Sequence, residues 1–265
     1  MRRIAFVNEK GGTGKTTLAV HLAAWAAAEQ GARVLLVDLD TQGHAGKSLG
    51  LDVRTLIPNA FHWLTDPAVP LPAVARPTAI ARLSVVPAYK QLQDLAGALA
   101  GDRRPRHRLA DRLEEASGAY DLVVLDGPPS LGPAVSNILV AATEVVLPVA
   151  LTYLALDGCA EVARTVERVA REEEVAGLHI SAVVPMLVRH TSLAAAILER
   201  LEAYFPGRVT PGLGFHVKID EAQSHGKTVW EHAPGSRAAE AMRTVVEAIW
   251  ERGVRPERST HAELL

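Results

Sequence analysis

Short, almost uninterrupted apolar runs alternate along this chain with longer stretches of helical character. Residues 4–8 (IAFVN), 33–40 (RVLLVDLD), 83–87, 120–126 (YDLVVLD), 144–149 and 179–188 are rich in Val, Leu, Ile and Ala. Runs of this kind are expected of parallel strands buried on both faces. Between and after them, 18–29 is Ala-rich, 158–174 and 192–204 read as helices, and 236–251 places Ala, Met, Val, Ile and Trp at helical spacing. The alternation predicts an α/β fold: a doubly wound, mostly parallel sheet with helices on both faces. Pro/Gly/Arg-rich stretches at 67–77 and 101–106 are expected to be surface connections, and no internal repeat is present. One domain over 1–265 is the expected organisation, with 252–265 as a C-terminal tail.

Composition narrows the class. A length of 265 residues with 48% hydrophobic but only 5% aromatic content suits one large core of helices packed on a sheet. The N-terminal segment is too polar after Val7 for a signal peptide, and no apolar stretch approaches the roughly 20 residues of a membrane span. A cytoplasmic protein is therefore expected. Cys159, the single cysteine, excludes an intrachain disulfide and a CxxC iron–sulfur site, and reads as a small buried residue. The ten histidines lack metal-ligand spacing, which favours structural or surface roles. A formal net charge of −2 gives no bulk attraction for a polyanion, and 179–255 holds nine Lys/Arg against eight Asp/Glu.

The chemistry is concentrated at strand ends. Lys10-Gly11-Gly12-Thr13-Gly14-Lys15-Thr16-Thr17 lies between the first strand and the first helix, the context a phosphate-binding loop requires. Its glycines let backbone N–H groups and the positive end of the helix face an anion. Lys15 is expected to reach the β/γ-phosphates of a nucleoside triphosphate, and Thr16 to ligate Mg²⁺. Glu9 stands where the standard loop has glycine, so the match is to a variant, and a second lysine, Lys10, sits inside it. Two further apolar strands end in carboxylates: Asp38 and Asp40 on one, Asp126 on the other, the last placed to hold the metal directly or through water.

Taken with EAQSHGKT at 221–228, the loop, VLLVDLDTQG at 34–43 and YDLVVLDGPPSLG at 120–132 stand in the order and spacing of the deviant Walker-A ATPases. The chain resembles the ParA/Soj-type partition ATPases of that group, which also includes MinD. The resemblance covers nearly the whole chain and is weakest at 55–118. It implies ATP and Mg²⁺ as ligands and a homodimer that sandwiches ATP. Lys10 would be the signature lysine that crosses to the phosphates of the other subunit, Asp40 would help position the hydrolytic water, and Asp38 would support the Mg²⁺ shell. It also implies nonspecific DNA as a partner, contacted by Arg189 and Lys218 and more weakly suggested for Arg208 and Arg243. A ParB-like protein would stimulate hydrolysis, at the nucleoid. Departures from the family pattern are Glu9, Thr41, Gly127 and Gln223, where glutamine, proline, cysteine and proline are frequent.

No N-terminal helix-turn-helix precedes the first strand, and 252–265 lacks the basic amphipathic face of a membrane-recruited relative. Operator-specific binding and membrane partnership are accordingly not expected. Two alternatives remain at this level: an adaptor that uses ATP as structural glue, and a P-loop enzyme that phosphorylates or amidates a small molecule. The cargo is left open.

Overall fold

The computed structural model describes residues 1–152 and 155–252. Its strands are β1 (Arg2–Phe6), β2 (Val34–Asp38), β3 (Arg76–Pro77), β4 (Leu83–Val86), β5 (Leu122–Asp126), β6 (Glu144–Ala150), β7 (His179–Val188) and β8 (Leu213–Gly214). They form one sheet in the order β3-β4-β2-β5-β1-β6-β7-β8, parallel throughout except for the two-residue antiparallel pairing of β3 with β4. From β1 the chain winds one way to β2 and β4, and from β6 the other way to β8, so the turn after β1 lies where a doubly wound sheet binds ligands.

Side chains of successive strand residues point to opposite faces, and the core divides accordingly. Ala5, Leu35, Val37, Val123, Leu125, Val145 and Leu147 join one buried cluster. Ile4, Phe6, Val34, Leu36, Leu122, Val124 and Val146 join another. The second cluster is covered by the helices Lys15–Glu29 and Arg237–Arg252, which contribute Leu18, Leu22, Met242 and Val246 among others. The first is covered by Pro133–Ala141, Ala155–Glu172 and Ser192–Tyr204 together with short helices between β2 and β5.

This is the expected architecture, with informative local differences. The first strand lies two residues earlier than predicted, leaving Val7 and Asn8 to lead into the loop. The helix after it begins at Lys15 within the loop motif, because Gly14 adopts φ 85° and ends the turn. The stretch expected as a surface connection at 67–77 instead carries the helix Leu71–Val74, whose Leu71 and Val74 enter the core, and then the edge strand β3. The stretch at 101–106 is largely exposed, as expected. The helix predicted at 236–251 is Arg237–Arg252, and the rest of the expected tail, 253–265, lies outside the described residues.

One close approach fixes the layer beside the second cluster. Gly226 has φ 65°, and a Cβ there would lie 2.6 Å from the Cα of Gly50, so backbone packs directly on backbone. Gly226→Ala should therefore cost about 3 kcal/mol, combining an unfavourable φ with overpacking. Gly177→Ala, at φ 81° with open space around it, should cost only about 1 kcal/mol. Urea denaturation of the two variants separates these outcomes.

Candidate nucleotide site

The loop 10–17 lies at the C-terminal end of β1, and its strained turns fall on glycine: Gly12 has φ 70° and Gly14 φ 85°. A Cβ on Gly14 would sit 2.5 Å from the Cε of Met186, whereas Gly12 faces open space on the loop's surface. The loop is tied from within. Asn8 donates from Nδ2 to the Pro148 carbonyl at 2.6 Å, and its Oδ1 accepts the Lys10 N–H at 3.0 Å. The Lys10 carbonyl accepts from Lys15 Nζ at 3.0 Å and from the Thr13 hydroxyl at 3.3 Å. Lys15 is buried, and that burial lowers its pKa against the pull of Asp126 and Asp40. Its ammonium is held at the loop by a neutral carbonyl, which an anionic phosphate would outbid electrostatically.

Beneath the loop, Asp38 and Asp126 are register partners on the adjacent strands β2 and β5. By strand parity both point to the face on which the helix Lys15–Glu29 packs. Both are fully buried, yet their surroundings differ. Asp38 accepts the Asp40 N–H through Oδ1 and the Ala45 N–H through Oδ2, each at 3.0 Å, so it anchors the turn that follows β2. Among the described residues neither oxygen of Asp126 has a well-formed hydrogen bond, with the Thr16 hydroxyl beside it. Burial pushes the Asp126 carboxyl up to about 7; the Thr16 hydroxyl and Lys15 oppose this and Asp40 adds to it. Asp38 is likewise raised well above the carboxylate range, chiefly by burial and then by Asp126. Two orphaned buried carboxyl oxygens beside a threonine hydroxyl fit a hard divalent cation such as Mg²⁺. Asp38, with both oxygens engaged, would act on such an ion through the turn it holds. Asp40 lies at that turn, accepting the Gln42 N–H at 3.0 Å.

A cleft of about 240 Å³ adjoins the loop, lined by Gly14, Thr17, Met186, Leu213, Phe215 and Ile219 among others. The cleft adjoins an irregularity between β7 and β8, where Leu187 takes φ 54°, and both Leu187 and Phe215 are exposed in its lining. The sequence reading missed this cleft and the strand β8 beneath it. The glycine pair in Pro211-Gly212-Leu213-Gly214 was the available signal: a Cβ on Gly212 would lie 2.6 Å from Val188, so the chain must pass close there.

Comparison with known proteins gives a consistent answer. A family profile described as "AAA domain" matches residues 1–179. The chain is 39% identical over 259 residues to the chromosome-partitioning ATPase Soj of Thermus thermophilus, covering 95% of this chain and 96% of that one. It is 35% identical to the sporulation initiation inhibitor protein Soj of Bacillus subtilis, covering 89% and 93%. The chain belongs to the ParA/Soj family of partition ATPases. Among solved structures it is similar to a cobyrinic acid a,c-diamide synthase from Mycobacterium smegmatis with bound ADP and magnesium, at 27% identity and TM-score 0.79 over 95% of this chain and 94% of that one. It is also similar in fold to the septum site-determining protein MinD of Pyrococcus horikoshii complexed with Mg-ADP, at 23% identity and TM-score 0.75 over 94% and 95%.

Within this ParA/Soj-family chain, the predicted loop residues and the three aspartates converge on one end of the sheet. Glu9 packs toward the helix Ala155–Glu172. Its Oε1 lies 3.0 Å from where a Cβ on Gly158 would be, and burial and then Glu161 raise its pKa. Lys10 lies along the same glycine, with Cε at 3.5 Å from that position. Arg189 is exposed one residue beyond β7, and Lys218 is exposed in the first turn of the helix Val217–Ser224 just after β8. Since β7 and β8 are parallel neighbours, both basic residues leave the sheet at its loop end. Lys218 bonds Glu221 at 2.7 Å, so its charge is partly compensated. Arg243 bonds Glu29 at 3.1 Å, at the end of the first helix farthest from the loop, and lies over Trp230. Cys159 is buried as expected, its thiol pushed up to about 12. No helix among the described residues is long and apolar enough to cross a membrane.

The raised Asp126 pKa makes stability depend on pH. As pH rises from the unfolded carboxyl value toward about 7, the unfolded chain loses this proton before the folded one does, so stability without ligands falls by up to a few kcal/mol. Asp126→Asn should remove that loss and be more stable than the parent above pH 7 without Mg²⁺ and nucleotide. Urea titrations between pH 5 and 8 test this, and an unchanged pH slope would contradict the assignment.

Proposed function

We propose that this partition ATPase binds Mg·ATP at the loop, dimerises around it, binds DNA without sequence preference in that state, and releases it on hydrolysis. The observation that carries the reading is the common location of the phosphate loop, the partnerless Asp126 carboxyl and the Arg189 and Lys218 segments at one end of the sheet. Thr16 and Asp126 would hold Mg²⁺, which when bound withdraws negative charge from the phosphates. Lys15 and the backbone N–H groups of 11–17 would bind the β/γ-phosphates, and the apolar cleft beside Thr17 would take the purine. Asp40 would orient the attacking water from the turn that Asp38 anchors. Lys10 would leave its position along Gly158 to offset charge on the γ-phosphate in a second copy, as an arginine finger does.

Such a dimer presents each basic residue twice, so nucleotide state sets the number of DNA phosphates contacted together. Contacts of this type are sequence-independent and weaken steeply with salt. Glu221 competes with DNA for Lys218. A ParB-like partner would accelerate hydrolysis, and association with the nucleoid follows from DNA binding. The similarity to an amidating synthase leaves a small-molecule role as a second reading, which the higher identity to partition ATPases disfavours; DNA-independent turnover would favour it.

Binding to a random-sequence duplex with ATP, ADP or no nucleotide tests the proposal, using Asp40→Ala to hold the ATP state. Salt-sensitive binding with ATP alone is expected, and no binding in any state would overturn it. Lys15→Ala should abolish nucleotide binding and with it DNA binding. Replacing Arg189 and Lys218 by Glu should abolish DNA binding while sedimentation still detects the ATP dimer. Glu221→Gln should tighten DNA binding roughly two- to fivefold at low salt, by releasing Lys218.

A further inference from the structure

We propose that Gln223 is a positioning residue for the nucleotide, setting the direction of the Thr17 hydroxyl and coupling the helix Val217–Ser224 to occupancy of the phosphate loop. Gln223 donates from Nε2 to Thr17 Oγ1 at 3.1 Å, between residues 206 positions apart. Thr17 lies in the first turn of the loop helix, where backbone N–H groups lack helical partners, and it lines the cleft beside the loop. A hydroxyl carries one proton and two acceptor sites. Once an acceptor site is filled by Gln223, the Thr17 proton is directed elsewhere and is available to a phosphate oxygen at the loop. The proline frequent here in the family has no side-chain donor to do this.

A second path holds the same residue. His21 is fully buried, and burial lowers its pKa to about 4, so the ring is neutral. Its Nδ1 lies 2.7 Å from the Thr17 carbonyl, and its Nε2 accepts the Val229 N–H at 3.1 Å. Nδ1 therefore carries the proton and donates to Thr17. The segment 217–229 thus reaches Thr17 through both its hydroxyl and its carbonyl, while Gly226 packs on Gly50 beyond the Asp38–Asp40 turn. Among the described residues, Gln223 is the member of this relay whose bond falls on a side-chain group able to face the nucleotide.

The inference rests on the nucleotide reading, so the test begins with Mg·ATP binding by the parent protein, measured by calorimetry. Gln223→Met keeps the side chain's length and removes the amide; Thr17→Val removes the hydroxyl. Each should raise the ATP Kd roughly three- to tenfold, and the double variant should be no weaker than the worse single one. Gln223→Glu should be weaker than Gln223→Met, because a carboxylate would accept the Thr17 proton and add negative charge near the phosphates. Hydrogen exchange supplies a readout that a merely structural role would not move: ATP-induced protection of 217–224 should be present in the parent and lost in Gln223→Met. Failure of the parent to bind ATP would overturn the nucleotide reading itself. Parent-like affinity and protection in Gln223→Met, or losses that multiply in the double variant, would overturn only the role of Gln223.

Discussion

Two carboxyl groups buried side by side on β2 and β5, beneath a loop built for anions, constrain everything around them. Burying a carboxylate without partners is costly, and the fold meets that cost differently at each position. Asp38 is satisfied by two N–H groups of the following turn, so its burial defines where Asp40 stands. Among the described residues Asp126 is left without a well-formed hydrogen bond, with Lys15 as the nearby cation and Thr16 as the nearby hydroxyl. The free site is therefore frustrated, and under the proposed reading a divalent cation with its phosphates would resolve the frustration. Part of the binding energy would then come from relieving a strain that the parallel sheet imposes through its register.

The same constraint explains why distant segments meet at the loop. The helix Lys15–Glu29 is fixed on the sheet by Leu18 and Leu22 and on the C-terminal helix through the second cluster. Its first turn is gripped by the 217–229 segment through Gln223 and His21. That segment in turn packs on Gly50, beyond the turn that Asp38 anchors. Loop, turn and the helix bearing Lys218 form one connected block, so under the proposed reading a change in phosphate occupancy would have a short physical route to Lys218. The route is a set of packed and hydrogen-bonded contacts.

Much of this was legible in the sequence because it depends on local chemistry. Apolar runs buried on both faces identified the main strands, and glycines at 12 and 14 mark turns that require positive φ. Carboxylates at the ends of two such runs identified Asp38 and Asp126. What was not legible depends on tertiary geometry. β8 is two residues long and has no periodicity to read, and the chain beside the cleft approaches β7 closely only because position 212 is glycine. The 67–77 stretch looked like a connection from its prolines, yet Leu71 and Val74 find the core. Nothing in the sequence places the Glu9 side chain against Gly158, whereas the acid that pairs with Lys218 stands three residues on, at Glu221, and was there to be read. The departure at Gln223 was visible, but its partner Thr17, 206 positions away, was not.

The central claim is that the buried Asp38–Asp126 pair holds a proton in the free protein at pH 6, at the Asp126 carboxyl that lacks backbone donors, and gives it up when the cation arrives with its nucleotide. Calorimetric titration with preformed Mg·ATP at pH 6, repeated in buffers of different ionisation enthalpy, measures this directly. The account predicts a buffer-dependent heat corresponding to about one proton released per site. Heats that do not vary with the buffer, accompanied by tight binding, would mean that Asp126 is already ionised and would contradict it.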